Sequence, residues 1–273
     1  MSALLQIAIK EWRDGLRNRW VAAAILLLAG LALLLALLGA APAGGVKASA
    51  LAVTLASLAS LTVYLLPLLA LMLAYDALVG EAERGTLLLL LSYPVPRWAV
   101  ILGKFVGHLG ILALALLVGY GGPCLLVALT RSGEVADWPA FAGLIASSLL
   151  LGGAFLGLGY LVSALVRERA TAVGLAIGLW LVLVVLYDLG LLALLVADES
   201  QAIGQSLFSL LLLLNPTDAF RLFNLTISDS AALASGMTEA AGSLPAPFGL
   251  AAIAAWLLAA LGASILVFQR REL

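Results

Sequence analysis

Apolar side chains dominate six stretches of the chain, at 20–41, 51–75, 99–129, 139–166, 170–196 and 248–268. A helix needs about 20 such residues to cross a hydrocarbon core of about 30 Å. The pattern therefore predicts an all-α polytopic membrane protein with six transmembrane helices, and a single transmembrane domain over 1–273. The third, fourth and fifth stretches exceed the minimum and predict tilt or extension beyond the bilayer. Pro67, Gly119, Gly121, Gly122 and Pro123 are tolerated inside such helices because neighbouring helices satisfy freed backbone groups. In the fourth stretch, Gly152, Gly153, Gly157 and Gly159 permit close approach of neighbours.

Two further segments are apolar on one face only. Over 4–20, Leu5, Ala8, Ile9, Trp12 and Leu16 fall on one side of a helix and Lys10, Arg13, Asp14 and Arg17 on the other. That describes an interfacial helix lying on the membrane before the chain turns in. It does not fit a cleaved signal peptide, whose apolar core is shorter. Residues 207–214 are too few to cross and are ended by Asn215-Pro216. They predict an amphipathic or half-buried helix within the segment 197–247.

Charge fixes the expected orientation. Of the 14 Lys and Arg residues, Lys10, Arg13, Arg17, Arg19, Arg84, Arg97, Lys104, Arg167, Arg169, Arg270 and Arg271 fall on one side of a six-span topology; only Lys47, Arg131 and Arg221 fall on the other. This positive-inside bias predicts that both termini are cytoplasmic and that 197–247 is the largest piece on the outer face. With 64% hydrophobic and 11% charged residues, against about 25% charged in soluble domains, most of the chain belongs in lipid. No basic patch suits nucleic acid.

Little in the chain supports chemistry of its own. Cys124 is the single cysteine and His108 the single histidine. Met72, His108 and Cys124 are scattered near or within spans, with Met1 and Met237 elsewhere and no CxxC, MxxM or paired histidines, so a dedicated Cu(I) path through soft ligands is not expected. Cys124 and Met72 read as packing residues, and His108 as locally hydrogen-bonded. A lone histidine leaves no nucleophile-base pair, and no Walker A sequence occurs. We therefore expect no catalytic residue, metal or cofactor in this chain, and ATP hydrolysis only in a partner. Asp188 stands apart as a carboxylate inside the fifth span. It reads either as a residue of a dimer interface or cargo cavity, or as a protonated or locally bonded group with Tyr187 or a Ser/Thr of another span. Asp76 reads as a boundary residue.

The most specific stretch links the second and third spans. Glu81 and Arg84 are spaced to pair on one helical face, Gly85 permits a change of direction, and Pro94 and Pro96 end the helix. The product is a short Leu-rich helix over 77–98 that needs cover. On physical grounds alone, an ordinary chain-reversing loop remains equally open. The run Glu81-x-Glu83-Arg84-Gly85-Thr86-Leu87, then Ser92-x-Pro94-x-x-Arg97 and Gly103-Lys104, resembles the cytoplasmic loop of ABC-2-type transporter permeases. The resemblance covers nearly the whole chain. It implies that Glu81, Glu83, Arg84, Gly85, Thr86, Leu87, Ser92, Pro94 and Arg97 belong to a coupling helix docked on a separate ATPase subunit, which binds ATP and Mg. It also implies that 1–19 is an elbow helix, and that the subunit pairs with a second copy of itself in the bacterial inner membrane.

Lys10-Glu11, the run from Asp14 to Trp20, Ala74-Tyr75-Asp76 through Glu81, Gly103 to His108, and Leu214 to Asp218 with Arg221-Leu222 resemble a narrower group. These are permease subunits of ABC complexes that mature the copper sites of nitrous oxide reductase. For this group the resemblance implies a periplasmic β-helical copper-handling partner docked on 197–247, around Asn215, Pro216, Asp218 and Arg221. The expected action is ATP-driven movement of the coupling helix, tilting of spans two and five, and a change at the outer face. Two alternatives stand beside it: an ABC-2 exporter of lipid or drug, and an ion-coupled carrier using Asp188.

Overall fold

The computed structural model describes residues 2–39, 50–130, 138–197, 205–227 and 245–271, and all its regular structure is helical. Lys47, Arg131, Met237 and residues 198–204 and 228–244 of the outer segment lie outside the described residues. Helix α1 (Ala3–Arg17) leads into α2 (Arg19–Gly39), which begins span one, across a bend of 72°. Asn18 makes the break: its Oδ1 accepts from Trp20 N at 3.0 Å, capping the new helix start. Span two is α3 (Ala50–Ala74), followed by the short helices α4 (Val79–Glu83) and α5 (Thr86–Leu91). Spans three and four are α6 (Arg97–Thr130) and α7 (Trp138–Leu165). Span five is composite, with α8 (Arg169–Trp180), a π-helical stretch at Leu181–Leu186 and α9 (Tyr187–Ala197). The hairpin α10 (Gln205–Leu213) and α11 (Pro216–Ile227) precedes span six, α12 (Ala246–Arg270). Five of these spans are long and apolar enough to cross a membrane alone, and the bent α1–α2 pair supplies the sixth.

Helix α7 is the centre of the bundle, packed against α3, α6, α11 and α12. The glycines read from the sequence as close-approach residues face different neighbours. A Cβ on Gly157 would stand 3.0 Å from Ala260 of α12, and one on Gly159 would stand 2.6 Å from Ala74 of α3. Phe155 and Tyr160, both fully buried, fill the space between. The two arginines Arg97 and Arg271 tie helix ends together. Arg97 Nη1 donates to the carbonyls of Phe268, Gln269 and Arg271 at 2.7–3.1 Å. Arg271 in turn caps α7 through the carbonyls of Ser163, Ala164 and Val166. Cations at helix C-termini complement the dipole and satisfy orphan carbonyls. Helix α1, the end of α12, the α4–α5 turn and the described basic residues other than Arg221 thus gather at one end of the bundle.

Span five is fastened differently. Of its most apolar 18 residues only 6% are buried, against 67% for α7. Ala172, Ala176 and Val184 pack it inward, and polar bonds add to them: Arg169 to Asp76 and Glu83 (below), and Trp180 Nε1 to the carbonyl of Tyr64 at 3.0 Å. Its outer side presents Leu181, Val182, Leu186, Leu189 and Leu192.

Helix α1 is seated on a groove cut by glycine. A Cβ at Gly103 would lie 2.9 Å from Ile7 and from the Leu4 carbonyl, and one at Gly107 would lie 2.7 Å from the Ala8 carbonyl. The sequence pattern places α1 at the interface; the structure adds that Ile7 and Ala8 face this groove while Leu5 and Leu16 stay exposed. Gly107→Val is expected to lift α1 from α6 at a cost of about 1–3 kcal/mol. The check is a lowered melting temperature of the purified protein together with faster proteolysis within 1–17.

Candidate functional site

The turn after span two is built around internal hydrogen bonds. Helix α3 stops at Ala74, and the free amides of Leu78 and Val79 are both met by Ser163 Oγ of α7 at 3.0 Å. Gly85, with φ of 72°, separates α4 from α5. This left-handed conformation carries little cost for glycine alone. Thr86 Oγ1 donates to the carbonyl of Glu81 and Ser92 Oγ to that of Leu89. The exposed Pro94 and Pro96 follow before α6 starts at Arg97.

At the base of this turn is a buried lysine. Lys104 of α6 is 1% exposed, and its Nζ lies 2.7 Å from Glu11 Oε1 and 2.8 Å from Glu81 Oε1. Lys10 stands 3.3 Å from the same Glu11 oxygen and 3.6 Å from that of Glu81. Two ammonium groups therefore balance two carboxylates across α1, α4 and α6. Burial opposes ionisation of Glu11, but the adjacent, hydrogen-bonded ammonium of Lys104 outweighs it and holds the carboxyl below its ordinary value. His108, one turn on, lies 3.6 Å from Glu11 and 2.7 Å from the Tyr160 hydroxyl. This is the local bonding expected from the sequence.

The expected Glu81–Arg84 pair is not formed. Glu81 is drawn inward to Lys104, while Arg84 turns to Asp76 at 3.7 Å. Asp76 is more than a boundary residue, because Arg169 grips it with Nε at 2.6 Å and Nη2 at 2.9 Å. Glu83 Oε1 accepts from the backbone N of Arg169 at 2.8 Å, capping the start of span five. Leu87 is fully buried and anchors α5. Most residues brought together by the resemblance thus act as internal fasteners, and Arg97 reaches α12.

What the turn offers outward is Leu88, Leu89 and Tyr93, which are 59–68% exposed. A cleft of about 380 Å³ runs beside them between α1 and α5, lined by Ile7, Lys10, Arg84, Leu89 and Tyr93. The sequence reading saw a Leu-rich helix but did not separate the anchoring leucine from the exposed ones. A larger cavity of about 970 Å³ lies between α1–α2, α3 and α8. Leu27, Leu28, Leu65 and Leu69 form its wall, and Asp14, Asn18 and Arg169 its mouth.

At the opposite end, Asn215 is the N-cap of α11, with its Oδ1 accepting from Thr217 N at 3.0 Å and Pro216 at the first helical position. Its Nδ2 donates at 2.7 Å to the carbonyl of Leu183, inside the π-helical stretch of span five. Asn215, Pro216 and Asp218 are buried, and Arg221 is half-buried. All four therefore face the interior of this chain, so a partner would meet other faces of the hairpin. Asp188 is paired with Arg221 and not with Tyr187. Arg221 Nη1 lies 2.5 Å from its Oδ2, and the Tyr187 hydroxyl donates to the Leu211 carbonyl instead.

This architecture, with a bent amphipathic entry helix, a short helical turn after span two and six spans, is that of a transporter permease subunit. The model of the ABC-2 family transporter proteins matches residues 5–273, and the chain belongs to that family. It is 47% identical over 280 residues to the "Probable ABC transporter permease protein NosY" of Stutzerimonas stutzeri, covering 99% of each chain. It is 48% identical over 277 residues to the protein of the same name from Pseudomonas aeruginosa, covering both chains in full. It is accordingly a multi-pass permease of the bacterial inner membrane.

Removing Lys104 tests the frame. Lys104→Met leaves Glu11 and Glu81 buried without their shared partner, at an expected cost of about 3–5 kcal/mol. Adding Glu11→Gln and Glu81→Gln to the same variant should restore most of the melting temperature, because no buried charge is left uncompensated and Lys10 is exposed.

Proposed function

We propose that this chain is the membrane subunit through which a separate, cytoplasmic ATPase drives an event at the outer face, the maturation of the copper sites of nitrous oxide reductase. The observation that carries this reading is the apolar ledge of Leu88, Leu89 and Tyr93, held out from the termini-bearing end on an ion-paired frame. An exposed apolar surface fixed on rigid supports suits a partner that pushes on it. The basic residues around it favour the cytoplasmic side. The high identity to permeases named NosY supports the reductase as the beneficiary. In this reading ATP and Mg stay on the ATPase, a second copy of the chain completes the membrane unit, and a periplasmic β-helical copper-handling protein meets the hairpin end.

Asp188 does not stand free as an ion site, since Arg221 occupies it. That weakens the ion-coupled alternative. Export of a lipid or drug is favoured by one observation, the cavity of about 970 Å³ with an apolar wall and a polar mouth. Narrowing it with Leu65→Trp should slow such export and leave copper-site maturation intact.

Leu88→Asp with Leu89→Asp should weaken co-purification of the ATPase by about 100-fold, as the loss of two buried apolar anchors implies. The variant should still insert in the membrane. Glu83→Ala and Arg84→Ala should leave ATP hydrolysis running while the reductase lacks its full copper content. Normal ATPase retention by the double aspartate variant, with full maturation in the alanine variants, would sink the proposal.

A further inference from the structure

At the end of the bundle away from the termini, one guanidinium serves two carboxylates. Arg221 Nη1 lies 2.5 Å from Asp188 Oδ2 and 2.9 Å from Asp218 Oδ1. Its guanidinium carbon is 6.0 Å from the centroid of the Tyr64 ring. Asp218, in the first turn of α11, is 3% exposed, and its second oxygen, Oδ2, is buried with no hydrogen-bond donor among the described residues. Asp188 stands beside it, since both carboxylates meet the same Nη1 of Arg221.

Two ionised carboxylates on one arginine leave an excess negative charge in a region of low dielectric. They also leave a buried acceptor without a donor. Both are costly. One proton removes both faults. With Asp218 protonated, its hydroxyl donates to Asp188, and Asp188 and Arg221 remain as a neutral pair. Paired acids that cannot both ionise share a proton in this way.

We propose that Asp218 is a proton-binding site, its hydroxyl donating to Asp188, and that this proton fastens the α10–α11 hairpin to span five. The other groups facing the pair, among the described residues, are Arg221 from α11 itself, Tyr64 from α3 and Tyr187 from α9. Where α7 meets α11 the contact is Ser147 with Asn224, which do not titrate, and at the π-helical stretch it is Asn215 with the Leu183 carbonyl. Helix α10 has no titratable residue, and the only one on α12, Arg270, is at its other end.

Burial, and then the charge of Asp188, push the Asp218 carboxyl up to about 7 against the opposing pull of Arg221. The folded protein therefore binds this proton more tightly than the unfolded chain, whose carboxyl titrates near the ordinary 3.8. The stability it contributes is complete below that ordinary value. It declines as pH rises through the interval and is gone above about 7. The fastening loosens with rising pH, the reverse of a carboxylate held only by an arginine.

The test uses the full-length protein in phosphatidylcholine nanodiscs. Infrared difference spectra between about pH 5 and about pH 9 should show a protonated aspartic carboxyl band that disappears with a midpoint near 7. Asp218→Asn should remove the band. Asp188→Asn should lower its midpoint by about one unit or more, because Asp218 then has Arg221 to itself. Melting temperatures should show wild type losing its advantage over Asp218→Asn as pH rises to about 7, with no further loss above. A missing band, or one that survives Asp218→Asn, overturns the proton site. A melting difference that does not vary with pH overturns the fastening. Should Asp218→Asn fail to fold, the midpoint shift in Asp188→Asn decides the matter.

Discussion

A fully buried ammonium has to be neutralised where it stands, and Lys104 sets the architecture of the termini-bearing end for that reason. Its two carboxylate partners come from separate parts of the chain, Glu11 before the first span and Glu81 after the second. Neither partner can leave without stranding charge in a low-dielectric site, a change worth several kcal/mol. The entry helix α1 and the α4–α5 turn are therefore parts of one body. The glycine groove at Gly103 and Gly107 lets α1 approach α6 closely enough for Glu11 to reach the lysine. Small residues and buried charge here solve a single geometric problem.

Span five answers to a second constraint. A π-helical stretch widens the backbone ladder and frees carbonyls that lipid cannot satisfy. The Leu183 carbonyl is met by Asn215, which also caps α11, so the irregular backbone in span five requires the hairpin to be present. Little of this span is held by apolar packing. Beside the buried Ala172, Ala176 and Val184, it is attached by polar bonds at Arg169, Trp180, Leu183 and Asp188, and in a low-dielectric surrounding such bonds are strong. A span bound in this manner can be released at one end by altering a few groups, whereas α7, packed on four sides, cannot.

The spans and the elbow were legible in the sequence because lipid imposes one dominant rule. The apolar stretch at 170–196, for instance, became the composite span of Arg169–Ala197. The Asn215-Pro216 signal was read as the end of a helix and is equally the start of one, with an Asn cap and Pro at the first position. The polar pairings were not legible. Glu81 has Arg84 within reach on its own helix, and local spacing favours that pair, but the buried Lys104 draws Glu81 inward together with Glu11. The partner of Asp188 was also beyond local reasoning, since Arg221 is 33 residues away and arrives only when α11 folds back. Periodicity reports which face is apolar. It does not report which distant charge a buried one will select.

Two polar assemblies stand on the same span, one at its start and one at and just past its middle. Asp76 and Glu83 hold Arg169 at the start of span five, and Glu83 sits between the Glu81 that binds Lys104 and the Gly85 that orients α5. Asp188 and the Leu183 carbonyl hold the hairpin from the middle of the span onward. A displacement of α4 therefore has a continuous, hydrogen-bonded route to α11 that bypasses the closely packed centre of the bundle. Continuity alone is not coupling, which requires an element with two arrangements that both ends can bias. The Arg221 site has the makings of such an element, because one guanidinium cannot fully satisfy two carboxylates. Its preferred geometry changes with a single proton, and a pull on span five would alter the same distances.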